Sequence, residues 1–315
     1  FEEQWSLLRD IVEARNPARI GINTGSVQWA AGGLTYNLYQ QLIQALPKRF
    51  VERLESAEQT ATGWAATLTD EEVGLYEHVV DVAHHLIAGC YSRETIIPGR
   101  TTTADLEWAY WQYAVDLGLK PSFKPFFNIV RSPAMRTALG PHDTVIRPGD
   151  LIHCDVGISY LRLISDHQEW CYVLRPGEER APEGACRLLE QVHRLQDIFM
   201  DEFTLGLTGN EMLSSILSRA RCEGIPNPKV YSHSLGLFLH EPGPLIGLPW
   251  EQVRCEGRGE VRFSVNNAFT MELRAADAIA EWGAEEVSLS LEEDVVFTRD
   301  GCRLIDGRQT EFYLV

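Results

Sequence analysis

Asp155 lies inside an otherwise apolar run, Leu151-Ile152-His153-Cys154-Asp155-Val156-Gly157. A charged carboxylate there is costly unless it is paired or bound to a cation. Asp166 follows eleven residues later, in Leu163-Ile164-Ser165-Asp166. The intervening Gly157-Ile158-Ser159-Tyr160 can turn the chain back, and that hairpin would set the two carboxylates side by side. Like charges at such range do not both ionise without a cation or a shared proton. Downstream, His233 and His240 stand seven apart in the glycine-punctuated apolar stretch Ser232 to Pro242. A kink in an extended segment would aim both imidazoles into one cavity. Glu272 sits among strong strand formers, Phe269-Thr270-Met271-Glu272-Leu273, and is a buried-acid candidate. In Ser288 to Thr298, alternation places Ser288, Ser290 and Glu292 on one face and Leu289 and Leu291 on the other. The small-residue face beside Glu292 has room for an ion, whereas Glu293 falls on the apolar parity or at a strand end. Each piece alone also has an ordinary reading: solvated turn aspartates, a hydrogen-bonded core histidine, an acidic strand terminus in water.

Two regions must position these residues. Residues 1–65 read as part of a small α/β unit, with a helix from Glu2 to Ala14, a short strand Arg19 to Asn23, and a helix from Tyr36 to Leu46 ended by Pro47. The polar stretch Ser56 to Thr62 is the expected boundary, and residues 66–315 form the second region. Thr69-Asp70-Glu71-Glu72 is a helix start, with a cap and acids in the first turn, and that helix should run to Cys90. Thr102 or Thr103 caps a helix over Ala104 to Leu117. After Pro148-Gly149 the period changes to two, with strands expected at Leu151–Val156, Tyr160–Ile164 and Gln168–Leu174. Helices over Pro182–Phe203 and Gly209–Glu223 follow, then strands at Ala268–Arg274, Val287–Glu292, Val295–Thr298 and Phe312–Val315. Helices grouped before and between antiparallel strands make an α+β chain rather than a βαβ repeat.

Composition narrows the partners. The 315 residues carry 28 Lys and Arg against 45 Asp and Glu, a formal charge of −17. That field repels a phosphate backbone, so nucleic acid is not expected as a partner. No apolar stretch approaches the ~18 residues of a membrane span. The seven cysteines are scattered and form no C-x-x-C pair, which reads as reduced thiols in a cytoplasm-like compartment. The first residue is Phe1, which suggests processing or a fragment. No phosphate-binding glycine loop and no G-x-S-x-G elbow is present, so nucleotide-binding and serine-hydrolase readings fail.

The order of the six residues, with their local context, resembles the pita-bread metallohydrolases: methionine aminopeptidases, prolidases and proline-specific aminopeptidases. The likeness is carried by Pro148 to Gly157, Ser165-Asp166, His233 to Pro242, Phe269 to Glu272, and Leu291 to Thr298 with Asp300-Gly301. It spans about Thr69 to the C-terminus. The resemblance implies a curved antiparallel sheet covered by helices, preceded by a partial creatinase-like N-terminal domain. It implies two divalent cations, Mn²⁺ first, with Co²⁺, Zn²⁺ or Fe²⁺ as alternatives. Asp155 would bind one, His233 and Glu272 the other, and Asp166 and Glu292 would bridge them. Four carboxylates then balance two dications. A bridging hydroxide would attack the scissile carbonyl, with Glu272 moving the proton. His240 and His142, the latter in Gly140-Pro141-His142-Asp143, would steady the carbonyl oxygen.

The implied activity is removal of an N-terminal residue from peptides with a free N-terminus, closest to the Xaa-Pro aminopeptidase branch, in a homodimer. The alternatives are a prolidase-type dipeptidase, a metal-independent creatinase-like C–N hydrolase, and a non-catalytic binding module. The acidic field favours a substrate's amino terminus over its carboxylate and so favours the aminopeptidase. Three departures bear on substrate preference. His167-Gln168-Glu169 stands where many relatives carry Thr-Arg, Lys229 where a histidine is common, and Ser290 where an arginine is common. Glu169, His153 and His167 are either replacements around the ligands or surface residues.

Overall fold

The computed structural model describes residues 2–25, 31–240, 242–283 and 285–315. Phe1, and Glu241 within one of the resembling segments, lie outside them. The chain divides into two compact units, Phe1–Ala65 and Ala66–Val315.

The first unit contains α1 (Glu2–Arg15), β1 (Ile20–Ile22), α2 (Tyr36–Ala45), α3 (Lys48–Val51) and β2 (Leu54–Ser56), and ends in α4 (Glu58–Ala66). β1 and β2 pair in parallel from Ile20↔Leu54 to Ile22↔Ser56. Parallel strands need a crossover, which α2 and α3 supply. The Thr35 hydroxyl accepts from the Leu38 amide at 3.3 Å and caps α2, and Pro47 prevents the helix from continuing. The polar stretch Ser56 to Thr62 is ordered as the end of β2 and the start of α4. Ser56 ends β2, its hydroxyl accepts from the Glu58 amide at 3.1 Å, and the rest opens α4; Ser and Glu serve a helix start as readily as a loop.

The second unit runs α5 (Asp70–Cys90), α6 (Thr103–Asp116), β3 (Lys120–Pro121), β4 (Phe126–Val130), α7 (Pro133–Leu139), β5 (Leu151–Asp155), β6 (Ile158–Tyr160), β7 (Leu163–Ile164) and β8 (Trp170–Tyr172). It continues with α8 (Glu183–Glu202), α9 (Gly209–Cys222), β9 (Lys229–Leu235), β10 (Leu245–Ile246), β11 (Asn267–Ala278), β12 (Glu286–Thr298), β13 (Gly301–Leu304) and β14 (Tyr313–Leu314). Capping boxes open α5 at Thr69, α6 at Thr102 and α9 at Thr208. One antiparallel sheet has the order β10-β9-β11-β12-β13, a second β14-β8-β5-β4, and a third β3-β6-β7. This is the expected α+β architecture.

Two apolar layers decide which strand faces stay polar. α8 buries Ala185, Leu188, Leu189, Val192, Leu195 and Phe199, one helical face, with Met271, Leu273, Leu289 and Leu291 of β11 and β12. α5 and α6 bury Tyr76, Val80, Ile87, Leu106 and Tyr110 with Ile152, Cys154 and Cys171 of β5 and β8. Each large apolar side chain so buried contributes about 1.5–3 kcal/mol. The apolar parity is therefore strongly held, and the alternate positions are committed to the other face.

Two expected boundaries differ. The segment Tyr160–Ile164 is not one strand. The ladder runs in one register from Leu151↔Tyr172 through Val156↔His167 to Tyr160↔Leu163, and the chain reverses at Leu161-Arg162. Those residues have φ of 53° and 69°, a turn that normally selects Asn-Gly. Gly157 lies within the ladder, where an added Cβ would come 1.9 Å from the Ser165 carbonyl oxygen. Second, Val287–Glu292 and Val295–Thr298 are one strand. β12 pairs with β11 without a break from Asn267↔Phe297 to Ala278↔Glu286, and Glu292, Glu293 and Asp294 are all buried because each has polar groups around it.

Candidate metal centre

Three strands and the hairpin deliver the acidic residues to one face. Glu272 pairs directly with Glu292 across β11 and β12, and with Tyr231 across β11 and β9. The His233 amide donates to the Thr270 hydroxyl at 3.4 Å, which sets His233 two places along β9 on the face that Tyr231 shares. The hairpin joins β12 through a bridge, Gln168↔Glu292, and the Asp166 amide donates to Asp294 Oδ2 at 3.3 Å. The hairpin register sets Asp155 beside Gln168, so Asp155, Asp166 and Glu292 converge. Their parities were readable in sequence; the bridge that brings two sheets together was not.

Ligand atoms of Asp166, His233 and Glu292 lie within 4.8 Å of one another, and His233 Nε2 is 3.7 Å from Asp166 Oδ2. Asp155 and Glu272 complete the group electrostatically, since both carboxylates raise the proton affinity of Asp166 and of Glu292. Burial pushes Asp155 up to about 6. Glu272 is pushed up to about 7 by burial, against a hydrogen bond from Gln168, with the Asp155 charge adding to the rise. Asp166 and Glu292 are raised well above the usual carboxylate range, first by burial and then by the other acids. Burial holds the His233 imidazole down at about 3, so it is neutral and its ring nitrogen is available as a ligand.

The residues present fit a divalent metal pair. Asp166 Oδ1 and Glu292 Oε1 are buried with no hydrogen-bond partner, and an unsatisfied buried acceptor costs about 1–3 kcal/mol. Among the described residues, no cationic side chain pairs with these four acids; the nearest ring, the neutral His233, lies 3.7 Å from Asp166 Oδ2. Carboxylate oxygens with one imidazole suit hard or borderline dications.

Several neighbours were missed or left open in sequence. Gln168 Nε2 donates to Glu292 Oε2 at 2.7 Å, and Gln168 Oε1 accepts from the Ser290 hydroxyl at 2.8 Å. His153 links this pair to β4, with Nε2 3.1 Å from Gln168 Oε1 and Nδ1 2.9 Å from Asn128 Oδ1. His153 is thus a support of the acidic group, not a surface residue, and Gln168 and Ser290 occupy two of the departing positions. The Tyr231 ring lies 5.3 Å from that of His233, tilted against it. The His240 ring lies 4.4 Å from that of His233, as the kinked segment suggested. His142 stays apart. It is exposed in a turn and, among the described residues, has no hydrogen bond or ion pair to the acidic group. Beside Glu272 a small cleft is lined by Tyr231, Pro249, Arg274 and Ser290, with Lys229 at its rim. No sequence signal marked Gln168 or Tyr231, because their roles depend on partners brought in by other strands.

A profile of metallopeptidase family M24 matches residues 74–299. None of the curated proteins compared matches the chain in sequence. Among solved structures, the chain is similar to the X-Pro aminopeptidase from Thermotoga maritima MSB8 at 18% identity and a TM-score of 0.67, covering 99% of this chain and 79% of that one. It is similar to the Xaa-Pro dipeptidase from Bacillus anthracis at 18% identity and a TM-score of 0.65, covering 99% and 78%. It is similar to the prolidase from Pyrococcus furiosus at 18% identity and a TM-score of 0.57, covering 88% and 75%. At that identity the likeness establishes the fold, the pita-bread arrangement expected from the sequence. No helix among the described residues is long and apolar enough to cross a membrane.

Proposed function

The chain belongs to metallopeptidase family M24 and is a peptide hydrolase, and from that premise we propose that it is a two-metal aminopeptidase removing the residue before proline at a peptide's N-terminus. The observation that supports this reading is the meeting of Asp166, His233 and Glu292 within 4.8 Å, with orphaned oxygens on Asp166 and Glu292 and the charges of Asp155 and Glu272 acting on both. Asp155 would hold one dication, His233 and Glu272 the other, and Asp166 and Glu292 would lie between, with Mn²⁺ the first ion to test. When bound, such a pair lowers the pKa of water and polarises a carbonyl.

The chain's own groups do the rest. Glu272, whose proton affinity burial raises in the cation-free site, would carry the proton. It would hold that proton on a carboxylate oxygen and return it to the leaving nitrogen. His240, against His233, donates a hydrogen bond to the scissile carbonyl oxygen. Gln168 and Ser290 hold the Glu292 carboxylate in one orientation. The acidic group attracts the ammonium of a free N-terminus.

A second reading has its own observation. Lys229 and Arg274 pair across β9 and β11 beside Glu272, and Arg274 Nε is buried without a hydrogen-bond partner. Two cations lining the cleft beside Glu272 suit the carboxylate of an Xaa-Pro dipeptide, as in a prolidase-type enzyme.

The test strips the protein with chelator, restores Mn²⁺, Co²⁺ or Zn²⁺, and follows Xaa-Pro dipeptides against longer Xaa-Pro-Yaa peptides. Metal-dependent cleavage of the longer peptides supports the aminopeptidase, and cleavage of dipeptides alone supports the second reading. Turnover that survives metal removal defeats both.

A further inference from the structure

One residue along from Asp166 and Glu292, their strands point the other way. Successive side chains alternate between faces, so the Gln168↔Glu292 bridge also sets His167 and Glu293 together, on the face opposite to Asp166 and Glu292. His84 of α5 meets them there. His84 Nε2 lies 3.2 Å from Glu293 Oε2 and 3.7 Å from Glu169 Oε1. Its other nitrogen, Nδ1, is 2.9 Å from Asp306 Oδ2. The His84 and His167 rings are 4.7 Å apart, edge to face.

The group is short of partners. His167 is fully buried, and neither of its ring nitrogens has a hydrogen-bond partner; Asp294 Oδ2, at 3.8 Å from Nε2, is beyond reach. Glu169 Oε2 is also buried without one. The Glu293 carboxylate accepts the Gln309 amide at 2.8 Å through its other oxygen, and Glu169 takes the Tyr313 hydroxyl. Among the described residues, the ion-pair partner of both Glu169 and Glu293 is His84. The group is closed to water apart from a partly exposed His84 and Asp306.

We propose that His84, His167 and Glu293 hold a further divalent cation of borderline type such as Zn²⁺, separate from the centre on the other face, with Glu169 as a fourth donor. Nitrogen and oxygen atoms of the three lie within 4.8 Å of one another. Tetrahedral bonds of about 2.1 Å would set them about 3.4 Å apart, so a small closing movement suffices. The Asp306–His84 contact is the outer carboxylate that orients a ligating imidazole and holds its other nitrogen toward the ion. Binding releases to solvent the proton that His84 shares with Glu293, and each ring then offers a lone pair. The ion would tie α5 to the hairpin and β12, behind the strands that carry Asp166 and Glu292.

The test counts Zn²⁺ per chain by elemental analysis after equilibration and gel filtration, in the full chain and in three variants. These are His84→Phe, the double variant Asp155→Asn with Glu292→Gln, and all three changes together. Wild type should hold one ion more than His84→Phe, and the double variant should keep one ion that the triple variant loses. Equal counts in wild type and His84→Phe, or in the double and triple variants, overturn the proposal. A double variant that loses nothing relative to wild type instead contradicts the centre on the other face and leaves this one standing. Should His84→Phe fail to fold by circular dichroism, His167→Gln is counted in its place with the same expected loss.

Discussion

Glu272 and Glu292 stand directly opposite each other in the ladder between β11 and β12. Even on an exposed ladder, like charges so placed are destabilising by roughly 0.2–1 kcal/mol, and this pair is withdrawn from water beside Asp155 and Asp166. The arrangement is a poor way to stabilise a sheet and a good way to bind cations.

Replacing one member of that pair should therefore separate stability from function. Glu292→Gln is expected to stabilise the metal-free chain by about 1 kcal/mol, a rise of about 2–4 °C in Tm. It should also abolish the stabilisation by added Mn²⁺ and lower peptide cleavage by at least about 10²-fold. Thermal melts with and without metal check both parts. A variant that responds to metal as wild type does would remove Glu292 from the ligand set.

The acids also set a pH dependence. Asp155 is raised from 3.8 to about 6 and Glu272 from 4.5 to about 7 in the folded chain without cations. Folding then favours the protonated forms, so the stability these two groups contribute is present below about pH 4 and is lost as pH rises to about 7. The metal-free protein should lose Tm across that window relative to the metal-loaded protein. Metal binding at pH 6 should release protons, measurable by calorimetry in buffers of different ionisation enthalpy. Metal binding at pH 6 without proton release would contradict the pKa directions.

Gln168 links three of the supporting contacts, to Glu292, Ser290 and His153. Gln168→Ala should weaken metal affinity by about 10–100-fold, the usual effect of removing a group that orients a ligand, while leaving the fold intact. Ser290→Ala should produce a smaller loss of the same kind. Metal titration of the purified variants decides this, and unchanged affinity in Gln168→Ala would make the network merely structural.

The hairpin turn offers a stability test away from the acids. Leu161 and Arg162 both hold a left-handed backbone, at about 1–2 kcal/mol per residue for a side chain with a Cβ. Changing the pair to Asn-Gly should raise Tm by several degrees without altering kcat. Gly157→Ala should do the reverse, because its Cβ has no room against Ser165. A neutral Asn-Gly variant would mean that the turn lies elsewhere.

Much of the site was already present in local pattern. An acid in an apolar strand, such as Asp155 or Glu272, announces a partner it must find. The 3–4 spacing along α8 announces the layer that will cover β11. Threonine capping boxes mark where α5, α6 and α9 begin. Each of these signals comes from residues within a turn or a strand of one another, where backbone geometry alone sets the parity.

What the tertiary structure decided was the identity of the partners. Glu293 and Asp294 looked like a solvated strand end, and they are buried because His84, 209 residues from Glu293 in sequence, and the Asp166 amide reach them. Gln168 carried no signal of its own until β12 arrived beside the hairpin. Leu161-Arg162 turns the chain although neither residue favours a turn, because the paired strands on both sides hold it there. A buried polar group is tolerated only through its contacts, and those contacts come from segments that no local pattern connects.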